Sequence, residues 1–145
     1  MNTRFLITFI IPLLYLPASA SAENEGGLVN NMSDLQTWMH KTALSLDANN
    51  VKLVYFYTHE LEETIEALED IGEYKSYNIA DLTKRMLVPE FEKFEEAVKA
   101  KKIVEANAQF KNLVGACNQC HEATGHGFIK IKRTANNPFM QSFDK

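Results

Sequence analysis

Both cysteines of the chain fall in one short run, Cys117-Asn118-Gln119-Cys120-His121. Two thiols and an imidazole at this spacing permit four chemistries. They can close a disulfide, supply part of a zinc site, act as a redox pair, or anchor a haem. The spacing C-x-x-C-H is the attachment signature of c-type haem. Two thioether bonds join the sulfurs to the vinyl edges of the porphyrin, and the adjacent histidine reaches under the ring to the iron. On a helix the three residues stand at i, i+3 and i+4, so they share one face. A histidine of this kind is the usual first axial ligand of the iron.

The alternatives are weaker. A redox pair wants its thiols at a helix N-terminus, where the dipole lowers their pKa; these lie near a helix end. A structural zinc takes four ligands, and Cys117, Cys120, His121 and His126 would have to supply all of them from ten residues. A disulfide across so small a loop adds little stability.

The elements that must carry these residues read as helices. Ser33 with Gln36 fits a capping box, followed by a stripe of Leu35, Met39, Ala43 and Leu46. Glu23 to Asn31 reads as a mobile lead-in. A second stripe joins Val54, Tyr57, Leu61, Ile65 and Leu68, with Gly72 as its stop. A third joins Ile79, Leu82, Met86, Phe94 and Val98, and Pro89 inside it should bend or split the helix. The fourth runs through Ile103, Ala106, Phe110, Leu113, Cys117, Cys120 and His121, with Gly125 as the C′ residue. No alternation is long enough for a sheet. The expected fold is therefore all-α: an antiparallel four-helix bundle over residues 23–125, with an extended C-terminal tail over residues 126–145. Phe139, Met140 and Phe143 give that tail apolar material to pack back on the bundle.

Residues 1–22 have the layout of a secretory signal: Arg4, an apolar run from Phe5 to Leu16, and the small-residue site Ala20-Ser21-Ala22. The run is short for a membrane span. Export to the periplasm is expected, with a product that is soluble once the signal is removed. Without residues 1–22 the chain keeps 14 basic against 19 acidic side chains, a net charge of −5 with histidine neutral. That balance excludes a nucleic-acid binder, which needs a basic footprint. No acid/base or nucleophile constellation marks an enzyme.

A single C-x-x-C-H in the last of four helices of an exported acidic chain resembles the cytochrome c′ (class II cytochrome c) family over roughly Ser33 to Gly125. The resemblance implies one covalent haem c held by Cys117 and Cys120, with His121 as the strong protein ligand. It also implies either electron exchange with redox partner proteins or binding of NO or CO at an open iron face, and in many members a homodimer. Two departures stand out. Gly125 occupies the position where that family usually has Arg or Lys, and about twenty residues follow where the family usually ends.

The sixth iron position separates a carrier from a gas binder. Equal rise per residue sets His121 level with about Thr37 to Met39 on an antiparallel first helix. Met39 lies on the core stripe and His40 on its flank, so these two are the candidate sixth ligands. Met86 and Met140 stand behind them, and an open position outranks any single ligand. His126 suits a helix cap or a haem propionate. His59 lies on a solvated face, where with His40 and Glu62 or Glu63 it would form a separate metal site. The sequence reading is an exported mono-haem one-electron carrier, with a five-coordinate gas-binding haem protein as its rival and a zinc-stapled interaction domain as a third reading.

Overall fold

The computed structural model describes residues 20–145, with side-chain surroundings from Gly27 onward. The export leader expected over residues 1–22 lies outside the residues whose side chains are described. The chain is mostly helical: α1 (Ala20–Asp47), α2 (Val51–Glu69), a two-stranded hairpin of β1 (Glu73–Tyr74) and β2 (Tyr77–Asn78), α3 (Ile79–Leu82), a π-helical segment (Thr83–Leu87), α4 (Val88–Lys99) and α5 (Ile103–Ala123). Among the described residues no helix is long and apolar enough to cross a membrane.

Helix α1 absorbs the stretch expected as a mobile lead-in. Leu28 and Met32 continue the stripe of Leu35 and Met39 at helical spacing, and Leu28 is buried in the core. Burying this upstream stripe overrides the local capping signal. Ser33 is consequently an interior residue, and its carbonyl accepts a bond from Thr37 Oγ1 at 3.0 Å.

Helix α2 starts where Asn50 caps it, its side chain accepting from the Leu53 amide. All five residues of its expected stripe are buried. Gly72 does not end the helix by a left-handed turn. The chain instead enters the hairpin, pairing Glu73 with Asn78 and Tyr74 with Tyr77 in antiparallel register. Lys75 takes the positive φ of 55° that its turn needs. Two-residue strands carry too little alternation to be read from sequence.

Pro89 does split the third helix. Its ring displaces the carbonyl four residues back and it offers no amide hydrogen. The backbone upstream widens into the π segment, in which the Val88 amide reaches the Thr83 carbonyl. The inserted residue advances the helix face by about 100°. Leu87 is therefore buried while Met86 is only half-buried. Phe91 and Phe94 follow inward, and Phe94 meets Phe110 of α5 edge to face at 5.6 Å.

Thr124 caps the C-terminal end of α5, and Gly125 follows with a φ of 73°. The Gly125 amide bonds the Glu122 carbonyl at 3.1 Å and the His126 amide bonds the His121 carbonyl at 2.7 Å, the double closure of a Schellman motif. Gly125 thus stands where a side chain would be strained.

Helix α1 packs along α2, and α4 along α5; α2 also touches α4, and α5 meets the π segment. Helices α1 and α5 touch only sparingly. The tail crosses the gap between them as a strap. Near its start, Ile131 packs on the main core. Next, Arg133 pairs with Asp47 at 2.6 Å and bonds Asn107 Oδ1 at 2.9 Å. At its end, Phe143 is buried with Leu44 and Tyr57, and Asn50 Nδ2 donates to the Phe143 and Asp144 carbonyls. Met140 is fully exposed, so of Phe139, Met140 and Phe143 only the two phenylalanines pack on the helices.

Phe143→Ala is expected to lower unfolding free energy by about 3 kcal/mol, and Met140→Ala to leave it within about 0.5 kcal/mol. Gly125→Ala should cost about 1 kcal/mol through the left-handed backbone alone. Urea titration followed by far-ultraviolet circular dichroism measures all three.

Candidate haem-attachment site

The sparse contact between α1 and α5 leaves a cleft of about 200 Å³. One wall is α5, with Cys117, Cys120 and His121. The opposite wall is α1, with Leu28, Met32, Leu35 and Met39. Ile79, Thr83 and Leu87 close the floor, and Ile129 and Ile131 of the tail close the rim. The helical spacing of the C-x-x-C-H run therefore turns all three of its chemical side chains into one apolar space.

The cysteines are both free thiols. Burial pushes the Cys117 thiol up to about 12, with a smaller push from Cys120, and burial also raises Cys120. Thiols held neutral in this way are the reverse of an activated redox pair, whose attacking thiol needs a lowered pKa. They sit in the last turns of α5, where the helix dipole disfavours a thiolate.

His121 is oriented. Its Nδ1 lies 3.0 Å from the Ile129 carbonyl. A carbonyl only accepts, so Nδ1 carries the hydrogen and Nε2 keeps its lone pair for a metal. Metal-binding histidines are commonly fixed in this manner by a bond from their other nitrogen. The segment that supplies the carbonyl belongs to the tail that continues past the fourth helix.

Of the candidate sixth ligands, Met39 lines the cleft and is only 4% exposed. His40 is held elsewhere: its Nε2–H donates to the Asn136 carbonyl at 2.8 Å, and its ring packs against Phe139. Met86 and Met140 do not line the cleft. His126 does, with Nδ1 3.2 Å from Thr124 Oγ1, consistent with a helix-end role. Met32 is the residue the sequence reading passed over. It stands seven positions before Met39, on the same helical face, a spacing visible once α1 is extended upstream.

The second metal site imagined at His59 does not form. His59 is flanked by Glu62 and Glu63 at 3.4 Å each on an exposed face, and His40 is bound to the tail. Among the described residues no three His, Cys, Asp or Glu side chains are arranged to hold a metal ion.

No family model matches this chain, and no curated protein or solved structure is detectably similar to it.

In the folded chain iodoacetamide is expected to alkylate Cys120 before Cys117, because Cys117 is the more buried and the more strongly raised. Peptide mapping over a time course reads the order. Equal rates in the folded protein would remove the buried setting described for Cys117.

Proposed function

We propose that the chain is an exported mono-haem c-type cytochrome on an antiparallel four-helix bundle related in plan to cytochrome c′, serving as a one-electron carrier in the periplasm. The observation that carries this reading is the cleft itself. Cys117, Cys120 and His121 open together into one apolar space, with the imidazole already fixed through Nδ1. Cys117 and Cys120 would hold the porphyrin edge by thioether bonds, and His121 Nε2 would take the iron. Haem bound there would supply a one-electron iron couple. The chain's own part is to exclude water with the aliphatic walls and to set the strength of the ligands.

The carrier reading is favoured over the gas-binding one by the α1 wall. Met39 and Met32 present thioethers to the same space as His121, and Met/His ligation suits electron transfer. The other α1 residues of the wall are Leu28, Val29, Leu35 and Gln36, none of them a usual haem-iron ligand, so without a Met bond this face would admit NO or CO. A zinc staple is disfavoured because no set of three donors converges at Cys117, Cys120 and His121. The acidic surface would steer a basic redox partner toward the molecule. The reading includes no enzymatic step.

Expression with haem-attachment machinery is the test. The wild-type chain should gain the mass of one haem and a Soret band that survive denaturation. Cys117→Ser and Cys120→Ser should each lose one covalent link, and the double variant should release its pigment into acid acetone. A chain without pigment under these conditions would sink the haem reading. Met39→Ala should turn a low-spin spectrum high-spin and open it to CO; CO binding by the unaltered protein would favour the gas-binding alternative.

A further inference from the structure

Asn118 is the first of the two variable residues inside Cys117-Asn118-Gln119-Cys120-His121, and the haem reading gives it no task. We propose that Asn118 is a positioning residue, whose amide fastens the tail strand to α5 and so holds the Ile129 carbonyl against His121.

The geometry is that of a clamp. The Ile131 amide donates to Asn118 Oδ1 at 2.7 Å, and Asn118 Nδ2 donates to the Ile131 carbonyl at 2.9 Å. The second amide hydrogen goes back to the Val114 carbonyl at 3.1 Å. Both donors and the acceptor of the side chain are in use, which fixes which way the amide faces. Asn118 and His121 are three residues apart on one helix, and Ile131 and Ile129 are two apart on the tail segment. The pairs 118–131 and 121–129 therefore run antiparallel and in step, as two rungs between α5 and the tail.

The other ties of this strand are weaker or shorter in reach. Lys130 pairs with Glu122 at 3.0 Å, but both side chains are more than 60% exposed, and such pairs contribute little. The Ile129 amide bonds the His126 carbonyl at 2.8 Å, which shapes the turn without fastening it to α5. Further along, the Arg133 side chain reaches Asn107 of α5 at 2.9 Å; beside the His121–Ile129 bond itself, it is Asn118 that ties the backbone of the tail to α5. A bond from Nδ1–H to a carbonyl raises the basicity of Nε2, so the clamp tunes the ligand without touching the iron. At the iron this inference rests on the haem reading; in the chain itself it rests on the two rungs.

The experiment uses the full chain exported with haem-attachment machinery, as wild type, Asn118→Ala, Asn118→Asp and Glu122→Gln. If haem is acquired, Asn118→Ala should shift the reduction potential upward, since a less basic imidazole stabilises the ferric iron less. Glu122→Gln, which breaks only the exposed ion pair, should leave it in place. If no haem is acquired, the haem reading fails while the clamp is still judged, by nitrogen-15 spectra of His121. Those should give the Nδ1–H tautomer in the wild type and a mixture in Asn118→Ala. Amide exchange at Ile131 and circular dichroism report whether the strand has been released from an otherwise intact fold. A folded Asn118 variant with a released strand, yet an unchanged potential or tautomer, overturns the proposal. Should Asn118→Ala fail to fold, Asn118→Asp carries the tautomer comparison, since it keeps the acceptor for the Ile131 amide and loses the donor to the Ile131 carbonyl.

Discussion

Two long helices of this protein run beside one another and hardly touch, and that gap governs the rest. An apolar cleft of about 200 Å³, open at its rim, leaves the facing walls without packing partners. The helices are held together at the other contacts: α1 against α2, α4 against α5, and the Phe94–Phe110 pair between α4 and α5. A group that filled the cleft would add to stability as well as to chemistry. Structure and proposed cofactor are linked by that space more than by the three residues that line one side of it.

The tail exists in relation to the same gap. It bridges α1 and α5 where they do not bridge themselves, with Arg133 reaching Asp47 on one helix and Asn107 on the other. It then runs on to the α1–α2 turn, where Asn50 serves twice, as the cap of α2 and as the donor to the last carbonyls. A single side chain thus ties the start of a helix to the end of the chain. The continuation of the chain past α5 and the glycine at position 125 have one physical basis. A strap that turns sharply off α5 needs a left-handed residue at its corner, and a charged side chain there would strain it.

Much of this was legible in the sequence. Periodicity placed the buried faces of α2 and α5, because those helices have one apolar side and a clear polar one. The motif spacing placed Cys117, Cys120 and His121 on a common face. Other features were hidden for identifiable reasons. The start of α1 lacks a strong local helix signal, with Gly26 and Gly27 inside it, and is held by tertiary burial of Leu28. The π segment moved Leu87 inward in place of Met86, since a rule of fixed 3.6-residue spacing cannot see an inserted residue. The withdrawal of His40 depends on Asn136, almost a hundred positions away, and no local pattern records such a contact. The bond from His121 to Ile129 spans a turn whose geometry is set by Gly125 and closed by Asn118.

Lys41 holds its ammonium over three rings at once: Trp38 at 5.0 Å, Phe139 at 5.1 Å and Tyr57 at 5.4 Å. These come from α1, the tail and α2 respectively. Trp38 also stacks on Tyr57 at 5.9 Å, and it is the sole tryptophan of the chain. The indole is therefore an optical gauge already installed at the seam where strap meets helices. Its emission answers to a neighbouring positive charge and to loss of Phe139 from its surroundings. The docking of the last twenty residues can be followed in the unmodified protein by light alone, with no label to disturb the seam it reports on.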